Sequence, residues 1–276
     1  MSLHNFKNWA DDLREHDEKL PVLFIGHGSP MNGIEDNRFS QTWHTLGKQI
    51  TKPKAVLVIS AHWLTKGTHI TAMEAPKTIH DFGGFPQALF DVQYPAKGNP
   101  ELALTAAKLI TSARVELDHD WGLDHGTWTV VRHMYPEADI PVLQLSIDYG
   151  RPPQYHYDLA KQLAALRKKG VLIIGSGNMI HNLKMVDFQK LNEPNYGFDW
   201  AVEMNDIFKK KIIEGNHTDL INYNKLGIGA TLAIPTPDHY YPLLYSLGLQ
   251  DSQDDISFFN DELVGGSLNM TGVKIG

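Results

Sequence analysis

The chain has 276 residues, 42% of them hydrophobic, with 25 Lys and Arg against 32 Asp and Glu and no cysteine. That length can bury one large core, and a formal net charge of -7 opposes a nucleic-acid backbone. Disulfides, Fe–S clusters and thiolate ligands are excluded, so any bound metal must be held through nitrogen and oxygen.

Residues 1–19 alternate acidic and basic side chains and lack the apolar region and small-residue cleavage site of a secretory signal, which predicts a cytoplasmic protein. No apolar run approaches the roughly 20 residues that span a bilayer, so no membrane association is expected. The first buried strand is expected over residues 21–25, ending in Gly26-His27-Gly28-Ser29-Pro30, and a second over 55–60, ending in Ser60-Ala61-His62-Trp63. Residues 75–99, with Gly83-Gly84, three prolines and four aromatics, follow neither period and are read as a long functional loop. A helix is expected from Asn99 as N-cap and Pro100 at the first helical position, and another behind Trp121-Gly122-Leu123-Asp124-His125-Gly126-Thr127-Trp128, running from 127 to 135.

A third strand is placed at 141–147, a helix at 155–169 stopped by Gly170, and a strand at 171–175. The Gly175-Ser176-Gly177 that follows imitates a dinucleotide fingerprint, but Ile180 stands where the third glycine belongs. A helix over 199–214, a strand over 230–235 and a hairpin or edge strand within 256–276 complete the chain. The basic runs Arg167-Lys168-Lys169 and Lys209-Lys210-Lys211 read as solvated helix ends, not as a nucleic-acid surface. Strands alternating with helices predict a single three-layer α/β/α domain over 1–276, with a mostly parallel central sheet and residues 1–20 as an N-terminal extension.

In open parallel sheets ligands bind beyond the carboxyl ends of the strands, and four histidines fall there: His27, His62, His181 and His239. One isolated histidine is more often a cap or a satisfied core residue, whereas four at strand ends favour a divalent metal with open positions. His125, beside Asp124, reads equally as a base oriented by that carboxylate or as a helix cap, and His80 is a weaker candidate. His44, His133 and His156 on apparent helices, His4 and His16 near the N-terminus, and His69, His119 and His217 in polar loops read as structural or surface residues. No Walker loop, nucleophile elbow or His-Glu-x-x-His helix is present.

Taken with His80-Asp81-Phe82-Gly83-Gly84-Phe85-Pro86, Gln144-Leu145-Ser146-Ile147-Asp148 and Pro237-Asp238-His239-Tyr240-Tyr241-Pro242-Leu243, these motifs resemble the class III (LigB-type) extradiol ring-cleavage dioxygenases, in particular the 4,5-DOPA extradiol dioxygenase-like branch. The resemblance covers nearly everything after Leu20. It implies a metal bound by His27, His62 and His239, with His181 as a fourth ligand or as acid/base, and His125 as a second acid/base or hydrogen-bonding group. Better-known members bind iron through two His and one Glu, whereas the third position here is His239. Asp238 is expected to point away from it, as neighbouring side chains usually do.

The implied reaction opens a catechol such as L-DOPA with O2, using Fe(II), although a neutral three-histidine site accommodates zinc equally. Phe82, Phe85, Phe90 and Tyr94 are expected either to wall the aromatic ring or simply to pack the loop. Arg38, Arg132 and Arg151 are candidates for a substrate carboxylate by charge alone. The alternatives are a zinc hydrolase on the same scaffold and a non-catalytic binding protein like the related Memo family, and a monomer or weak homodimer is expected.

Overall fold

The computed structural model describes residues 19–276, so expectations for the first 18 residues, including His4 and His16, lie outside the described residues. Ten strands follow in chain order: β1 (Val22–Gly26), β2 (Ala55–Thr65), β3 (Thr68–Thr71), β4 (Val115–Asp118), β5 (Val142–Asp148), β6 (Val171–Gly177), β7 (Ile256–Phe259), β8 (Leu263–Val264), β9 (Leu268–Asn269) and β10 (Gly272–Ile275). Eight of them form one sheet in the order β4-β3-β5-β2-β6-β1-β10-β7, and β8 pairs with β9 apart from it. The heart of the sheet, β5-β2-β6-β1, is parallel, so its carboxyl ends open on one edge. The expected C-terminal hairpin exists as β7 and β10, but β10 lies inside the sheet, antiparallel to both β1 and β7.

Nine helices flank the sheet among the described residues: α1 (Arg38–Gln49), α2 (Gln87–Phe90), α3 (Pro100–Leu109), α4 (His125–Met134), α5 (Pro153–Lys161), α6 (Asp199–Ile213), α7 (His217–Ile221), α8 (Ile228–Ala233) and α9 (Tyr241–Gly248). The parallel strands are apolar on both faces because both faces are covered. Along β1, Val22 and Phe24 join the core under α5 and α9, whereas Leu23 and Ile25 join the core under α1 and α4 with Trp43 and Trp128. This is the expected α/β/α architecture, and no helix among the described residues is long and apolar enough to cross a membrane.

Local chemistry sets the helix starts. Asn99 caps α3 by accepting the Leu102 N–H at 2.9 Å, with Pro100 at the first helical position. Asp124 caps α4 through the Thr127 N–H at 3.0 Å, so His125 is the first residue of that helix and not its cap.

Three expectations are corrected. The expected helix over 155–169 is α5 followed by a separate 3-10 turn, Ala164–Lys169, closed by Gly170 at φ +77°. In that turn Arg167 is buried, not solvated, and donates to Leu20 O, Leu249 O and both oxygens of Asp254. The expected strand over 230–235 is helix α8. A short apolar run carries no period that separates strand from helix, and here Ala230, Ala233 and Ile234 share one buried face against α6 while Ile228 is 83% exposed. The long loop contains one short helix, α2.

Candidate metal centre

His27 is the residue after β1, and its backbone N–H donates to Gly177 O at 3.1 Å, which seats it at the junction of β1 and β6. His62 lies within β2, where the pairing with β5 shifts register between Ile59 and Leu64. Such an irregularity re-aims side chains that strict alternation would send to the opposite face. His181 follows β6, with its N–H donating to Ala233 O at 2.8 Å. His239 does not follow a strand, because the segment before it is α8. It reaches the same edge because Asn178 N–H donates to its carbonyl at 2.9 Å and its backbone lies against Gly177, where a Cβ would come within 2.2 Å of the His239 carbonyl oxygen.

The rings of His27, His62 and His239 form a nearly equilateral triangle, with centroid separations of 5.0, 5.0 and 5.3 Å. The corners of such a triangle lie about 3 Å from its centre, close to a metal–nitrogen bond of about 2.0–2.1 Å plus the distance from that nitrogen to the ring centroid. His125 and His181 stand outside it, each against one corner: His125 is 3.8 Å from His62, and His181 stacks on His239 at 3.6 Å with 7° between the planes.

Two rings of the triangle, His27 and His239, are hydrogen-bonded through Nδ1, and the third, His62, turns its Nδ1 toward a carboxylate. The Ser176 hydroxyl donates to Gly126 O at 2.5 Å, so at 3.0 Å its oxygen accepts the His27 Nδ1–H. His62 Nδ1 faces Asp81 Oδ2 at 3.4 Å, and His239 Nδ1 bonds Asp238 Oδ2. The Asp238 carboxylate therefore turns toward its neighbour instead of away from it. With Nδ1 carrying the proton, Nε2 is the free lone pair on all three rings. The Nε2 atoms of His27 and His62 stand 3.1 Å apart. Two nitrogens bound to one ion at ordinary lengths and angles are about 2.9–3.4 Å apart, so this pair fits a shared divalent metal. By donor atoms within 4.8 Å the described residues form two groups, His27, His62 and His125, and His181, Asp238 and His239, so the triangle of rings takes two corners from the first group and one from the second. The Asp238 carboxylate is engaged with His239, whereas His125, held at Nδ1 by Asp81, keeps its Nε2 free beside His62.

Burial, reinforced by the other imidazoles, holds His27 and His62 well below the ordinary histidine range, which keeps both rings neutral and able to coordinate. Burial likewise pushes His181 down to about 3, aided by His239. For Asp238 burial works in the opposite direction, yet the hydrogen bond and charge of His239, with the Thr236 hydroxyl and a backbone N–H, together outweigh it and the carboxyl stays below the usual range. Asp124 is raised by burial and by the charge of Asp81, partly offset by hydrogen bonds from Gln144 and Ser60. Asp124 thus braces the start of α4 instead of orienting His125. The carboxylate on His125 is Asp81, at 2.9 Å from Nδ1, a contact that sequence spacing gives no means of reading.

The four loop aromatics divide. Phe82 meets the His125 ring edge-on at 5.5 Å and packs with Phe85 and Phe90, whereas Tyr94 is a core residue whose hydroxyl donates to Tyr135 O. His80 Nε2 bonds Val92 O and ties the loop to itself. Arg38, Arg132 and Arg151 are engaged with Glu262, Gly33 O and Asp148. His69 lies on β3 and His217 opens α7, not in polar loops.

Comparison with known proteins agrees with this geometry. Residues 12–272 match the family described as the catalytic LigB subunit of aromatic ring-opening dioxygenase. The 4,5-DOPA dioxygenase extradiol of Escherichia coli (strain K12) is 45% identical over 269 residues, covering 96% of this chain and 98% of that protein. The protein of the same description from Beta vulgaris is 34% identical over 279 residues, covering 95% and 98%. A solved structure of an uncharacterized protein from Escherichia coli K12 superposes with a TM-score of 0.81 at 40% identity, over 94% of this chain and 100% of that one.

Proposed function

The chain belongs to the LigB family, catalytic subunits of aromatic ring-opening dioxygenases, and is an extradiol dioxygenase; from that premise we propose that it opens a catechol such as L-DOPA with O2 at one divalent metal held by His27, His62 and His239. The observation that carries this reading is the triangle of three buried or half-buried imidazoles, each with an oxygen facing its Nδ1, which leaves Nε2 to the metal. Iron(II) bound there would gather the catechol and dioxygen on one centre and supply the redox chemistry, so that proximity carries much of the rate.

The chain's own residues supply the proton handling and the enclosure. Asp81 accepts the His125 Nδ1–H and leaves Nε2 as the basic nitrogen, so His125 is set to take a catechol hydroxyl proton on the His62 side. His181 is uncharged near neutral pH and so begins the cycle as a proton acceptor on the His239 side, able to return the proton later. Phe82, edge-on to His125, supports an aromatic substrate and excludes water there. Family membership favours this reading over the zinc hydrolase and the Memo-like binding protein.

The test is oxygen uptake by anaerobically iron-reconstituted protein with L-DOPA and simpler catechols, alongside metal analysis and a His62→Ala control. Iron-dependent uptake with a yellow ring-opened product, lost in the control, is the expected result. A full complement of zinc with no uptake on any catechol would overturn it in favour of hydrolysis.

A further inference from the structure

Asp81 belongs to the long loop and not to the sheet, yet its two oxygens accept two N–H groups of His125 and face the Nδ1 of His62. Oδ1 accepts the backbone N–H of His125 at 2.9 Å, and Oδ2 accepts His125 Nδ1–H at 2.9 Å while standing 3.4 Å from His62 Nδ1. His62 is a corner of the ligand triangle and His125 lies outside it, with the two rings 3.8 Å apart. The loop cannot easily drift from this position. Ile79 N–H donates to Leu123 O at 2.7 Å, the Trp128 indole N–H donates to Ile79 O at 2.8 Å, and the Asp81 side chain is only 18% exposed.

We propose that Asp81 is a shared positioning residue, a single carboxylate that fixes the tautomer and orientation of both a metal ligand, His62, and its proton-transfer neighbour, His125. The proposal rests on the reading of His27, His62 and His239 as the ligand set. The stoichiometry of acceptors sets it apart from simple loop anchoring. A carboxylate presents two charged acceptor oxygens to the two His125 donors and to the nearby His62 Nδ1, whereas the amide in Asp81→Asn presents one neutral oxygen and one NH2. With its oxygen at the Oδ2 position the asparagine turns its NH2 toward the His125 backbone N–H, and in the other orientation toward both imidazoles, so in either case a donor opposes a donor and the charge that holds the two rings is lost. A residue that only pinned the loop would leave both tautomers unchanged.

Two measurements on the full-length protein loaded with Zn(II) decide the matter. In the parent protein, long-range 1H–15N spectra of the histidine side chains should show His62 and His125 protonated at Nδ1, and Nε2–H on either ring overturns the proposal without needing any variant. In competition with a chromophoric chelator, Asp81→Asn should bind zinc about 10–100-fold more weakly, the usual cost of losing a carboxylate behind a ligand histidine. Affinity within twofold of the parent overturns the proposal equally. Neither measurement uses a catechol. Asp81-dependent zinc affinity in a protein that consumes no oxygen would sink the ring-cleavage reading and leave this assignment standing.

Discussion

His181 lies flat against His239, at 3.6 Å between ring centroids, whereas the three rings of the triangle stand about 5 Å apart. Their functions should separate accordingly. His27→Ala and His239→Ala are expected to lose bound metal, while His181→Ala keeps it and loses turnover by roughly 10²–10⁴-fold, the usual worth of a positioned acid/base. Metal analysis of the three variants side by side checks this, and metal loss in His181→Ala equal to that in His27→Ala would make it a ligand. His27 and His181 were legible in the sequence because a polar residue shortly after a buried apolar run emerges at a sheet edge, whereas His62 sits inside β2 and His239 follows a helix, so the expected reason did not hold for them. The anchors were not legible, since Ser176 is 149 residues from His27 and Asp81 is 44 from His125, distances at which no local pattern operates. Asp238 misled for the opposite reason: adjacency suggested divergence, and the loop conformation before α9 brings the two side chains together.

At the scale of elements, Gly177 ends β6 with the His239 carbonyl only 2.2 Å from the place a Cβ would occupy. Both groups are backbone, so neither can yield by rotating a side chain. Gly177→Ala should therefore displace the loop carrying His239 and lower metal content in a protein that still folds; unchanged metal content by elemental analysis would refute the packing argument. The long loop makes a different prediction. Phe82→Ala should raise KM for catechols while metal content stays at the parental level, because Phe82 touches His125 but none of the triangle. Steady-state kinetics with metal analysis tests it, and a loss of metal would show that the loop braces the centre through more than Asp81. Strands β1, β2, β5 and β6 could be read from their apolar runs, and α3 from its cap and proline. Helix α8 could not, because six residues whose burial depends on α6 hold no period of their own.

For the molecule as a whole, the 1% exposed pair Arg167–Asp254 ties β1 to the far end of the chain, since Arg167 also donates to Leu20 O, Leu249 O and Ile275 O. Arg167→Met leaves Asp254 buried with Lys19 as its remaining cation, and should cost about 3 kcal/mol in urea unfolding, near the lower end for breaking a buried pair. Burial alone would raise the Asp254 carboxyl, but hydrogen bonds from Arg167 and Lys19 bring it down to about 2. A carboxyl whose folded pKa is depressed stabilises fully above its unfolded value, near 4, and loses that contribution as pH falls toward 2. The parent should accordingly lose unfolding free energy more steeply than Arg167→Met between about pH 4 and pH 2, and parallel pH curves would contradict this. The same connectivity orders events during synthesis. Strand β1, which presents His27, is flanked by β6 and β10. A ribosome must therefore make 171–177 before β1 gains its first neighbour and 272–275 before it gains its second, while the rest of the pocket's walls are already in hand. Long-range pairing of this kind is slow. A metal held by His27 should thus be captured only after residues 272–275 have paired with β1.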